Sequence, residues 1–206
     1  ILSEKDQPQA IADRAFRKII FGEHPYQNPV IGREETVANI TREEVAAFHQ
    51  TYYAPNNLIL SIVGDVTERE AIALAKKYFG KWERKQIIFP RLGPAAPFQT
   101  RKLELIDKEL SQASVVLGHV GIERGNPDYY AVTVMNYILG GGGFSSRMMT
   151  DIRDNKGLVY SIYSLFDANR FPGEFAVSLQ TKSKSANEAI EGVLGEIQKI
   201  RNTPVT

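Results

Sequence analysis

The chain has 206 residues, 43% of them hydrophobic and 24% charged, with a formal charge of +1. That length accommodates one large domain or two small ones with real cores, and the balance is ordinary for a globular protein. A near-neutral charge gives no reason to expect nucleic acid or an anionic membrane as partner, and no apolar run approaches the roughly 18 to 20 residues of a membrane helix. With no cysteine there is no disulfide framework, thiol nucleophile or thiolate metal site.

The chain opens ILSEKDQPQA, with neither a starting methionine nor a basic stretch leading into an apolar one, and reads as a fragment or processed product. Residues 8–21 carry Ala12, Ala15, Phe16, Ile19 and Ile20 at helical spacing behind a proline. Residues 22–32 (GEHPYQNPVIG) are a loop punctuated by two prolines and two glycines. Thr41 to Glu44 is a capping box opening a helix to about Tyr53. Leu58 to Val63 is an apolar run of strand length. A second capping box, Thr67 to Glu70, opens a helix with Ile72, Ala75, Tyr78 and Phe79 on one face.

Between Gln86 and Gln99 three prolines and a glycine interrupt all periodicity, which suits an interdomain linker. Strands are expected around Lys102–Ile106 and Ala113–Val120, then a helix opened by Asn126-Pro127 and carrying Tyr130, Val134 and Ile138. Further strands fall near Val159–Phe166 and Glu174–Gln180, joined by a turn over Asn169–Gly173. Ser185 to Glu188 is a third capping box ahead of a helix with Ile190, Val193, Leu194 and Ile197. LILSIVG followed by a capped helix with Glu70-Ala71-Ile72 parallels FAVSLQT followed by one with Glu188-Ala189-Ile190. The pattern predicts an α+β fold, with helices packed on one face of a mainly antiparallel sheet.

The densest stretch runs from Asn136 to Ser164. It contains four consecutive glycines, Gly140, Gly141, Gly142 and Gly143, then Ser145 and Ser146 as N-caps. Met148, Met149 and Ile152 give the next helix an apolar side, and Gly157 is placed to end it in a left-handed conformation. That puts Arg153 near the helix end and Tyr160, seven residues on, at the start of a strand. A planar fork of donors suits a carbonyl or carboxylate, and a phenol can donate to an oxyanion. A surface arginine beside a strand tyrosine fits the residues equally well.

Other chemistries find less support. The three histidines, His24, His49 and His119, never pair at a spacing of three or four, so neither H-E-x-x-H nor H-x-x-E-H is present. No G-x-S-x-G elbow exists, and GGGGFSSR has neither the Lys-Ser/Thr of a P-loop nor the G-x-G-x-x-G spacing. A flexible connector between two helices accounts for the glycines as well as a binding loop does.

LGGGGFSSRMMTDIRDNKGLVYSIYS resembles the signature of the second homologous domain of insulinase-type zinc metallopeptidases, the family of pitrilysin, insulin-degrading enzyme and the mitochondrial processing peptidase. HPYQNPVIGREETVANITREEVAAFHQTYYAPNNLILSIVGDV resembles the later part of that family's first domain. The resemblance implies two homologous α+β domains of helices on mainly antiparallel sheet, each incomplete here: the later part of the first domain over 1–85, a linker over 86–100, and the first part of the second, substrate-binding domain over 101–206.

It further implies that extended, unfolded peptides are held in a chamber near zinc bound by an H-x-x-E-H motif. Arg153 and Tyr160 match the family's substrate-holding pair in type and spacing, and Gly140 to Gly143 match its glycine-rich loop. No catalytic or metal-binding residue is expected in this chain. Zinc would belong to the complete enzyme or to a homologous partner subunit, in a heteromeric pair or a homodimer. The expected reading is an inactive substrate-binding part, in bacterial periplasm or cytoplasm. The alternative is a structural core subunit of the same fold, as in the respiratory cytochrome complex.

Overall fold

A computed structural model describes residues 1–96 and 100–205 of the chain. Residues 97–99, part of the expected linker, and residue 206 lie outside the described residues. Residues 1–34 and 93–206 group into one compact unit and residues 35–92 into another. This grouping cuts across the 1–85 and 101–206 division expected from the resemblance, because the first helix packs with the C-terminal segments.

The larger unit is built on a three-stranded antiparallel sheet in the order β1 (Gln112–Val120), β3 (Glu174–Lys182), β2 (Val159–Asp167). The central strand β3 is buried along nearly its whole length, and its pleat sends alternate residues to opposite cores. On one side Val177 and Leu179 join Ile162, Leu139, Met148, Ile152 and, from helix α6 (Ala186–Asn202), Ala189 and Val193. On the other side Ala176 packs with Phe16, Ile20 and Phe21 of helix α1 (Pro8–Phe21). The sheet is thus covered on both faces, where one covered face was expected. The apolar stripe of α1 is what closes the second.

A part-buried ion pair ties α1 to the sheet. Arg17 Nη2 donates to Glu174 Oε1 at 2.8 Å, with Asp167 at 3.9 Å. The second oxygen, Glu174 Oε2, is buried without a partner. Burial pushes the Glu174 carboxyl above its ordinary range, against the pull of Arg17, and nearby Asp167 and Asp13 add to the rise.

The smaller unit holds helices α3 (Arg42–Tyr52) and α4 (Glu68–Phe79); the short helix α2 (Glu34–Ala38) begins at its edge. Both predicted capping boxes form completely: Thr41 accepts from Glu44 N and Thr67 from Glu70 N, while each glutamate accepts from its cap residue's N–H. The Thr41 N–H and then its hydroxyl, both donating to the carboxylate, hold Glu44 below the ordinary carboxylate range, as the Thr67 hydroxyl and then its N–H do for Glu70. Neither α3 nor α4 buries a residue, and Leu58 to Val63 forms no strand. The expected strand at Lys102–Ile106 is also absent. Each of these runs has strand composition, but a strand exists only where a neighbour supplies the ladder.

Helix α5 (Tyr129–Asn136) follows the predicted Asn126-Pro127 signal, with Asn126 Oδ1 accepting from Asp128 N at 2.8 Å. The third capping box does not form. Ser185 makes no capping bond, since a single 3-10 turn over Ser183–Ser185 carries the chain into α6.

Candidate functional site

The stretch from Asn136 to Ser164 folds as two wide helical turns around the glycine run. Tyr137–Gly141 and Met149–Asn155 are both π-helical, with Gly142 N donating to Tyr137 O at 2.8 Å and Lys156 N to Asp151 O at 3.2 Å. Such bulges are rare and recur at functional sites.

Each of the four glycines has its own steric reason. A Cβ on Gly140 would lie 2.5 Å from Ser164 Oγ and 2.8 Å from Ser164 N; on Gly141, 2.7 Å from Asn136 Nδ2; on Gly142, 2.6 Å from Tyr137 O. Gly143 instead has φ +60°, in the left-handed region. The run is therefore a tightly packed junction with strand β2 rather than a slack connector. Asn136 and Ser164 close it: Ser164 Oγ donates to Asn136 Oδ1 at 2.7 Å and Asn136 Nδ2 donates to Ser164 O at 3.1 Å.

Beyond the glycines, Ser146 is fully buried and caps the next turn, its Oγ accepting from Met149 N at 3.4 Å. Met148, Met149 and Ile152 point into the core, as their spacing predicts. Gly157 terminates the helix at φ +63°, with Gly157 N donating to Arg153 O and Leu158 N to Ile152 O. The core side of this helix is fully used, which leaves Arg153 on its outer side.

Arg153 and Tyr160 meet directly. The guanidinium Nε donates to the Tyr160 main-chain carbonyl at 3.1 Å, and Nη1 donates to the Asp154 carboxylate at 2.8 Å. Two of the five guanidinium N–H groups are engaged, leaving three without a hydrogen-bond partner among the described residues. The Tyr160 side chain is 75% exposed, outside the core that Ile162 enters on the same strand. A β-bulge between Val159 and Ser161 locally breaks the alternation that would otherwise govern Tyr160. The result is a guanidinium anchored on the main chain of a residue whose phenol is exposed.

Two partners of Arg153 escaped the sequence reading. Asp154 was adjacent but carried no motif, and Phe144 reads as one more apolar residue after the glycines. The Phe144 ring centre lies 5.4 Å from Arg153 Cζ, within cation–π range.

Each of the three histidines has partners of its own. His24 sits among Phe21, Tyr26 and Phe171, with Nε2 3.0 Å from Gly93 O. His49 stacks on Tyr53, and His119 Nδ1 lies 2.8 Å from Val120 O.

The chain matches the family description "Peptidase M16 inactive domain" over residues 39–206. It is 30% identical over 98% of its length to the uncharacterized zinc protease YmxG of Bacillus subtilis, covering 48% of that protein. It is 32% identical to an uncharacterized zinc protease of Mycobacterium tuberculosis, over 85% of this chain and 40% of that one. Among solved structures, a peptidase M16 inactive domain from Pseudomonas fluorescens superposes with a TM-score of 0.83 at 29% identity, over 99% of this chain and 49% of the other.

A protease from Helicobacter pylori (TM-score 0.89, 22% identity, 98% and 50% coverage) and a chain of Complex III2 from Candida albicans (0.80, 16%, 99% and 50%) share the fold. The chain spans about half the length of the curated relatives it matches. Those relatives are named for zinc, yet among the described residues no group of three or more His, Cys, Asp or Glu side chains is placed to hold a metal ion. Also among the described residues, no helix is long and apolar enough to cross a membrane. With most of its length matched to that family description, and the fold to go with it, the chain belongs to the peptidase M16 family, as part of its inactive domain.

Proposed function

We propose that this chain is the substrate-holding, non-cleaving part of an M16 zinc endopeptidase, and that it steadies extended peptide beside a zinc site carried elsewhere. The zinc site lies in the rest of the full-length protein or in a homologous partner subunit. The observation that carries the reading is the Arg153–Tyr160 contact: a cation anchored through Nε to the Tyr160 carbonyl, with three N–H groups unspent, next to an exposed phenol. Arg153 suits a peptide carbonyl or a terminal carboxylate, and the Tyr160 hydroxyl can donate to oxygen that gains charge as a peptide bond is attacked. Within the Gly140–Gly143 turn, the exposed Gly143, with open space where a side chain would sit, is where peptide backbone approaches closely. In this reading residues 1–85 and 101–206 derive from two homologous domains, each completed by chain beyond this segment.

The test is peptide cleavage by the full-length protein reconstituted with a zinc-bearing partner. Arg153→Ala lowers cleavage by about 2 to 4 kcal/mol in transition-state stabilisation, the scale of a lost oxyanion donor. Unchanged cleavage with intact folding removes the reading. The fold shared with a chain of Complex III2 supports a competing, purely structural role. Under that role the protein co-purifies in a stable complex whose formation is indifferent to Arg153.

A further inference from the structure

We infer that Phe144 is a specificity-determining residue of this site, which selects peptides carrying an aromatic or large aliphatic side chain next to the carbonyl held by Arg153. The inference rests on the substrate-holding reading and extends it to the class of peptide.

Phe144 is 75% exposed, although a phenylalanine gains stability by leaving water. It is not exposed because its loop is loose. Gly143 turns the chain through a left-handed conformation, and the backbone on both sides of Phe144 is pinned: Ser145 Oγ donates to Gly142 O at 3.0 Å and Ser146 Oγ to Gly143 O at 2.8 Å. The ring is thus held outward on a fixed 3-10 turn over Gly143–Ser145. Its one cationic neighbour among the described residues is Arg153, which it meets at 5.4 Å.

That contact places an apolar wall beside the carbonyl that Arg153 holds, where the adjoining peptide side chain lies. Tyr160, whose main-chain carbonyl anchors Arg153, is equally exposed, so among the described residues the one ring stacked on the cation is that of Phe144. A polar side chain entering there loses hydration without gaining a partner; an aromatic one gains ring contacts.

The experiment measures fluorescence-anisotropy affinities of the full-length protein for two matched unstructured peptides, one with a central phenylalanine and one with serine in its place. The wild type prefers the phenylalanine peptide by about two- to tenfold, the range of an aromatic pair contact. Phe144→Ala abolishes the preference while leaving the serine peptide's affinity within about twofold, and Phe144→Tyr retains it. A wild type without preference, a preference that survives Phe144→Ala, or a Phe144→Ala protein that loses both peptides equally overturns the inference. Arg153→Ala weakens both peptides alike. If it weakens neither, the underlying reading of the site fails, independently of what Phe144 does.

Discussion

Replacing Gly140 with alanine tests the packing that builds the site. The added methyl would sit 2.5 Å from Ser164 Oγ, 2.8 Å from Ser164 N and 2.9 Å from Ser164 Cβ. Two of these atoms belong to a buried side chain, and the third is strand backbone that cannot move without disturbing the β2–β3 ladder. Overpacking of this kind costs about 1 to 3 kcal/mol. Displacing Ser164 also weakens its two bonds with Asn136, worth about 1 kcal/mol each. Alanine's helical advantage over glycine returns only about 0.5 to 1 kcal/mol.

The expected net loss for Gly140→Ala is therefore about 2 to 4 kcal/mol, read as a fall in the urea midpoint of about 1 to 2 M at unchanged slope. Gly125→Ala, where nothing lies within 4 Å, is the control and leaves the midpoint in place. A Gly140→Ala midpoint within about 0.25 M of wild type would refute the tight-junction account and restore the slack-connector reading.

Other consequences can be read separately. Tyr160→Phe removes only the hydroxyl, because Arg153 is anchored by the Tyr160 main chain; cleavage by the reconstituted enzyme falls about 10²-fold with peptide affinity little changed. An equal loss in affinity contradicts a donor role specific to the transition state. Glu174 binds its proton more tightly when folded than when unfolded, so its contribution falls as pH rises from its ordinary value near 4.5 toward its raised folded one. The stability difference between wild type and Glu174→Gln, followed by urea midpoints, therefore shifts against the wild type across that window. A shift in its favour contradicts the dominance of burial over Arg17. Thr67→Ala removes the largest cause of the lowered Glu70 pKa, so the Glu70 carboxylate titrates at higher pH in an NMR titration. An unmoved titration shows that the Thr67 side chain does not hold that carboxylate in solution.

What could be read from the sequence was local. Thr41 and Thr67 announced their helices because a cap and its glutamate are three residues apart and need nothing else. Gly157 did the same, since only a left-handed residue ends that turn. Met148, Met149 and Ile152 revealed the buried side of the Arg153 helix, although periodicity did not disclose that its turn is π rather than α. A wider turn accommodates the same apolar spacing.

Non-local features were hidden. Leu58–Val63 and Lys102–Ile106 have strand composition, but whether a ladder forms depends on a neighbour that no local pattern names. The third capping box had the right residues, and a 3-10 turn pre-empted it. Phe144 carried no signal of its role, because nothing in GGGGFSSR tells whether the ring turns inward or lies over an arginine nine residues away.

The most direct measurement is bound zinc and peptide cleavage determined on the same sample of the full-length protein, alone and with a homologous zinc-bearing subunit, in wild type and Arg153→Ala. The account predicts equal zinc in both, with cleavage reduced about 10²- to 10³-fold in the variant. Equal zinc with undiminished cleavage, or cleavage lost only in proportion to lost zinc, would contradict it.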